Sequence, residues 1–248
     1  MFQNYSFDNF FEVVLADTPE SKEIHYNLRY QVYCEEMGFE DKARFPLKME
    51  IDEWDSRAVH FLVRNRHSGL WLGALRIVYH NQFAFPFESK SAPTAALDTH
   101  DYLVSAEISR LCVVKEARRF VPSDCSHSNI DHEPQIHAAS NVRYLHKHHA
   151  RSRSLMWGLL RAAVVYSAQQ GLKHWYFLVT QPIAYCIQKE GFEMHQIGDA
   201  AEANGQRSPY KLEVANFLAN PMWLTDYKNE FRKYSDLVSE TNYIRRRA

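Results

Sequence analysis

Short blocks of β-branched and aromatic residues punctuate the chain at 10–16, 59–64, 70–79, 105–114, 174–180, 193–197 and 210–217, and each block reads as a strand. The second and third flank His67-Ser68-Gly69 and predict a hairpin. Helical period is found elsewhere. Leu28 with Val32, and Arg29 with Tyr33, share faces at i,i+4 spacing in a helix expected to open at Asp17-Thr18-Pro19. Asp17 is its expected cap, Glu20 follows three residues on, and the helix runs to about Glu36 before Gly38 stops it. Leu155, Leu159, Ala162, Ala163 and Tyr166 mark a second helix, from Ser154 to Gly171, and Pro182 opens a short one ending at Lys189.

Three stretches, 39–50, 80–100 and 115–153, show no clean period and read as a loop or mobile lid, a long connection and a polar insertion. In the tail, 221–248, Trp223, Tyr227, Phe231, Tyr234 and Val238 fall three and four apart, which predicts one amphipathic helix. Docking on its own domain is the default for such a stripe; peripheral contact with a membrane or a partner is the alternative. The order of strands and helices describes a mixed α/β sheet in one domain spanning 1–248, without internal repeats.

Composition narrows the classes. A hydrophobic share of 46% supports a sizeable core and excludes a disordered tether. With 29 basic against 30 acidic residues, no global field attracts nucleic acid. Cys34, Cys112, Cys125 and Cys186 lack metal or redox spacing, and thiols inside apolar segments are expected to be reduced core residues. Cys125, His127, His132 and His137 fit no zinc pattern, so no metal is expected. No apolar run is long enough to span a bilayer and the first residues lack the basic start of a signal peptide, so a cytoplasmic enzyme is expected.

The chemistry centres on Ser105-Ala106-Glu107-Ile108-Ser109-Arg110, a strand carrying a carboxylate and a guanidinium three residues apart. In a regular strand these point to opposite faces, one buried and one solvated. A bulge between them would bring both to one side, and bulges often sit beside active sites. Gly73, inside the preceding strand, signals a bulge or a close backbone approach.

Taken in order, Arg29-Tyr30-Gln31-Val32-Tyr33-Cys34-Glu35-Glu36-Met37-Gly38-Phe39-Glu40, Asp52-Glu53-Trp54-Asp55, Gly73-Ala74-Leu75-Arg76 and Glu107-Ile108-Ser109-Arg110 resemble the acyl-homoserine-lactone synthases. Their wording is closer still to the N-acyl amino acid synthases associated with PEP-CTERM/exosortase systems, and both groups are GNAT-like acyltransferases. The resemblance implies a single GNAT-like domain in which the strand of Glu107 and the strand 174–180 splay apart around the pantetheine arm of an acyl thioester. It also implies that Arg29, Tyr33, Asp52, Asp55, Arg76, Glu107 and Arg110 form the functional set. Tyr33 and Trp54 vary the aromatic choices and Phe39 stands where those relatives carry Trp, so the acceptor pocket is expected to differ. The Gly-rich pyrophosphate loop is replaced by His148-His149-Ala150-Arg151-Ser152-Arg153.

Amide formation from a thioester needs an uncharged amine, a path for its proton and a stabilised oxyanion, but no enzyme nucleophile or bound cofactor. Glu107 is expected to accept the proton or to orient the ammonium, and strand amides near Ser109 to face the oxyanion. Arg29, Arg76 and Arg110 are the candidates to hold an amino-acid carboxylate, with a buried network to Asp52 and Asp55 as the alternative. Arg118, Arg119, Arg143, Lys147, Arg151 and Arg153 make a local basic segment suited to docking an acidic acyl carrier protein. The expected reaction moves a fatty acyl group from that carrier, or from CoA, to an amino acid or related amine. The alternatives are an acyl-homoserine-lactone synthase using S-adenosylmethionine and a non-catalytic acyl-binding protein.

Overall fold

The computed structural model describes residues 7–80, 84–94, 99–119 and 138–245. Its strands are β1 (Phe11–Leu15), β2 (Ala58–Asn65), β3 (Trp71–Tyr79), β4 (Ser105–Val113), β5 (His174–Val179), β6 (His195–Gln196), β7 (Ala201–Glu202), β8 (Gln206–Glu213) and β9 (Phe231–Lys233). Its helices are α1 (Phe7–Phe10), α2 (Pro19–Arg29), α3 (Thr99–Leu103), α4 (Lys115–Arg119), α5 (Ala138–Gln169), α6 (Gln181–Lys189), α7 (Val214–Leu218), α8 (Met222–Thr225) and α9 (Tyr234–Arg245). The sheet runs β6-β8-β5-β4-β3-β2-β1-β9, with β7 paired to β8. β1 to β4 form an antiparallel series, while β4–β5 and β1–β9 are parallel.

Strand alternation assigns the two faces. Phe61 lies opposite Leu75 and Ile77 opposite Ile108 in the ladders, and this side is covered by α5, whose Tyr166 ring meets Phe61 at 5.6 Å. Tyr166 also accepts from the Tyr79 hydroxyl, and Ser167 accepts from the Trp175 indole at 2.9 Å. His60 lies opposite Arg76, Arg76 opposite Ser109 and Val78 opposite Glu107, so the polar residues share the other face. Helix α2 covers that face, with His25 Nε2 3.2 Å from the Leu75 carbonyl. A polar cluster is thus sealed between α2 and the sheet.

Several elements differ from the sequence expectation for local reasons. Thr18, not Asp17, caps α2 in a reciprocal pair with Ser21, and Asp17 instead accepts from the backbone and hydroxyl of Ser235 in α9. Past Arg29 the helix widens into a π-helical stretch, Tyr30–Glu36, before Gly38 turns it at φ 65°. Helix α5 begins at Ala138 instead of Ser154. The preceding residues are polar but rich in Ala, Arg, Lys and His and free of Gly and Pro, and polarity alone does not break a helix. The strand expected at 210–217 is β8, ending at Glu213; Val214 and Phe217 are buried three apart, the period of α7.

The tail is not one helix. Trp223 lies in α8, Tyr227 turns the chain at φ 60°, Phe231 joins β9 on the β1 edge, and Tyr234 and Val238 lie in α9. Trp223, Tyr227 and Tyr234 are buried on the chain's own domain, because edge pairing and an aromatic cluster with Trp157, Phe192 and Phe217 claim the stripe. No helix among the described residues is long and apolar enough to cross a membrane.

Candidate active site

The β3–β4 register jumps between the pairs Ala74–Cys112 and Arg76–Ser109, so two residues of β4, Arg110 and Leu111, oppose Leu75 alone. The extra residue is accommodated with Arg110 in the left-handed region at φ 51°, uncommon for a side chain of this size. The bulge turns Arg110 toward the face that carries Glu107 and Ser109. Gly73 lies at the same ladder, where a Cβ would stand 2.7 Å from the Cys112 carbonyl, so close backbone approach excludes any side chain there.

Three guanidiniums meet three carboxylates in this space. Arg29 donates through Nε to Glu50 and through Nη1 to Asp55 at 2.6 Å. Arg76 donates to the Ser109 hydroxyl at 3.1 Å, to Asp55 at 2.9 Å and to Asp52. Arg110 takes Glu50 at 2.9 Å and Asp52 at 3.1 Å, with its guanidinium 5.5 Å from the Tyr33 ring centre. The Tyr33 hydroxyl donates to the Leu111 carbonyl at 3.2 Å, which ties the π-helical stretch to the bulge.

Asp52 and Asp55 reach this cluster through a short 3-10 turn, Glu53–Arg57. Asp52 caps it by accepting from Trp54 N–H at 3.1 Å, and Asp55 accepts from Asp52 N–H at 2.8 Å. His60 Nε2 sits 3.0 Å from Asp55. Burial alone would raise Asp55; the His60 hydrogen bond and the Arg29 and Arg76 charges hold it well below the usual carboxylate range. Burial of Glu50 is likewise outweighed by Arg29 and Arg110.

Exposure separates the arginines. The side chains of Arg29 and Arg76 are 0% and 1% exposed, whereas Arg110 is 27% exposed beside Asp52 at 11% and Glu40 at 21%. Arg29 and Arg76 are therefore held by the network and hidden from solvent, while Arg110 stands at its rim. Phe39 and Trp54 are half-buried and join through the backbone, Phe39 N–H donating to the Tyr33 carbonyl at 2.8 Å.

Glu107 has a different environment. It is buried, and Oε2 accepts from Phe87 N–H at 2.8 Å. Burial pushes its proton affinity up to about 8, against the Phe87 hydrogen bond and the charges of Arg76 and Arg110. Phe85, Phe87 and Tyr176 form the apolar wall around it. The β4–β5 pairing covers Ser105–His174, Ala106–Trp175 and Glu107–Tyr176 and then ends, so the strands part just beyond Glu107. From Ile108 onward the β5 side of β4 is free of ladder bonds.

Glu50 and His60 were not among the sequence candidates. Glu50 stands two residues before Asp52, a spacing that puts both on one side of an extended segment, and His60 interrupts an apolar strand. Both signals were present in the chain. The basic residues Arg118 and Arg119 lie in α4, and Arg143, Lys147, Arg151 and Arg153 in α5; their side chains are outside the described residues. Cys125, His127, His132 and His137 also lie outside them, and among the described residues no group of metal-ligating side chains gathers.

Residues 28–122 match the acetyltransferase (GNAT) domain family, a stretch running from the end of α2 through β4 and carrying every charge of the cluster. No curated protein matches the chain by sequence. Among solved structures, the CoA-dependent acyl-homoserine lactone synthase BjaI, with SAM and isopentyl-CoA, overlaps at TM-score 0.59. It shares 15% identity and the match covers 90% of this chain and 92% of that one. The acyl-homoserine lactone synthase LasI overlaps at 0.50, with 16% identity over 82% of this chain and 90% of that one. FeeM, an N-acyl amino acid synthase from uncultured soil microbes, overlaps at 0.46 with 11% identity over 86% and 97%, too loosely to carry fold or function. At these identities the likeness establishes the fold.

Proposed function

We propose that this chain, whose residues 28–122 match the acetyltransferase (GNAT) domain family, is an N-acyltransferase that moves a fatty acyl group from a thioester to the amino group of an amino acid or related amine. The observation that carries this reading is the parting of β4 and β5 immediately past Glu107, a buried carboxyl poised near 8. The gap suits a pantetheine arm, and it opens beside a group able to take a proton near neutral pH.

In this reaction the amine nitrogen attacks the thioester carbonyl carbon, the C–S bond breaks and the thiolate departs. The proton shed by nitrogen passes to Glu107, directly or through water, and from there to the thiolate. Backbone amides of β4 released from the β5 ladder face the developing oxyanion. Arg110, the partly exposed guanidinium at the rim, holds the acceptor's carboxylate, with Asp52 and Glu40 beside it to draw in the ammonium, which gives one proton to solvent before the amine attacks. Arg29 and Arg76, both buried and ion-paired inside the network, position Asp55, Asp52 and Ser109 instead. The donor is an acyl carrier protein engaged through the basic residues of α4 and α5; the acidic partner complements that charge.

Mass spectrometry of lipid extracts from cells producing the chain tests the reading. N-acyl amino acids absent from control cells support it. Acyl-homoserine lactones would replace the acceptor by S-adenosylmethionine, and unchanged extracts would leave a non-catalytic acyl-binding protein.

A further inference from the structure

Arg57, at the end of the 3-10 turn that Asp52 caps, belongs to neither the charge cluster nor the sequence candidates, yet it grips the segment that covers Glu107. Its Nη1 donates to the carbonyls of Tyr79 at 3.0 Å and His80 at 2.5 Å, and its Nη2 donates to the Ala84 carbonyl at 2.6 Å. One guanidinium therefore joins the end of β3 to the residue preceding Phe85. Immediately beyond Ala84, Phe85 N–H donates to the Glu88 carboxylate at 2.6 Å, and Phe87 N–H donates to Glu107. The Phe85 ring packs on His80 at 5.6 Å, Tyr102 at 5.7 Å and Tyr176 at 5.3 Å, which closes the apolar wall over the carboxyl.

We propose that Arg57 is a positioning residue that clamps the Ala84–Phe87 segment over Glu107, keeping the carboxyl dry and its hydrogen bond to Phe87 in register. The planar fork of a guanidinium suits this task, since it spans carbonyls on two chain segments at once where an ammonium would act as a point charge. The charged groups facing Glu107 are Arg76 and Arg110 from β3 and β4, Glu88 from the covering segment and Arg57 itself. Burial is the largest of the influences on Glu107, so loosening the cover and admitting water outweighs the loss of the Phe87 bond and lowers its proton affinity. The value of Arg57 to catalysis rests on the reading of Glu107 as the proton acceptor, but its effect on Glu107 does not.

The test uses the full chain without substrate, labelled with 13C at glutamate carboxyls, Glu107 being assigned by its absence in Glu107→Gln. Arg57→Lys keeps the charge and removes the fork. The expected result is a downward displacement of the Glu107 titration by about one pH unit or more from its wild-type midpoint. Exchange of the Phe87 amide should rise at least tenfold, with the melting transition retained. A folded Arg57→Lys protein with an unmoved titration and a protected Phe87 amide overturns the proposal. So does an upward displacement confined to Arg57→Gln, which would make Arg57 a charge and not a clamp. Failure of acyl transfer in the wild-type protein, with the titration shift present, would count against the proposed reaction and leave the clamp standing.

Discussion

Glu107 and Tyr176 are the last residues at which β4 and β5 run side by side; one step further the ladder ends. The carboxyl is thus placed at the point where the two strands stop pairing. Its burial keeps it in reserve as a weak acid, and the gap gives it something to act on. Replacing it by Gln preserves shape and removes the proton acceptor. Acyl transfer should fall about 10²–10⁴-fold, with a cooperative melting transition retained, when turnover of an acyl-pantetheine thioester is followed by thiol release. Near-normal turnover would remove Glu107 from the mechanism.

The pH dependence has a definite sign. Glu107 works as a base only when ionised, so kcat/KM should rise through about 8, the value to which burial pushes it. Stability runs the other way. Its folded-state affinity for protons exceeds the ordinary value of 4.5, so the folded chain binds the proton more tightly between 4.5 and about 8. Stability from this group is full below that window and is lost as pH climbs through it. Melting curves should show wild type losing ground to Glu107→Gln over the same interval.

Asp55 takes three donors on one oxygen, from Arg29, Arg76 and His60. Asp55→Asn removes the charge and leaves two buried guanidiniums short of a partner. A loss of about 3–5 kcal/mol is expected, on the order of 10 °C in the melting temperature. A shift within experimental error would mean that Glu50 and Asp52 suffice to balance the cluster.

Arginine variants should divide by exposure. Arg110→Gln is expected to weaken binding of an amino-acid acceptor about ten- to a hundredfold, and that penalty should vanish with the matching amine or carboxamide, which offers no anion. Arg29→Gln and Arg76→Gln should lose equally on both acceptor types and melt earlier. A selective effect at Arg29 would contradict its burial-based assignment.

Reversing Arg118, Arg151 and Arg153 to Glu should reduce use of an acyl carrier protein donor and flatten its salt dependence, with little effect on a short acyl-pantetheine. Equal losses on both donors would assign these residues to the fold or the acyl pocket.

What the sequence determined by itself is local and periodic. The alternation of β2 and β3, the helix face at Leu155 to Tyr166, and the punctuation by Gly38 and Gly171 were legible because the signal for each lies within a few residues. The bulge was only half legible: the spacing of Glu107 and Arg110 allowed either opposite faces or a bulge, and the β3–β4 register decides for the bulge. The polar run before Ser154 and the tail stripe were misread for one reason: period and polarity do not say which neighbour an element will find. Only tertiary packing wrapped Phe231 onto the β1 edge while burying Trp223 against Phe217. Only tertiary packing also ranked the charges, because burial belongs to the assembled layers and not to the residue. Arg29 and Arg110 look equivalent in the chain, yet α2 seals one beneath it and the bulge leaves the other at the rim, which is why Glu50 and Arg57 acquire their roles only in the folded molecule.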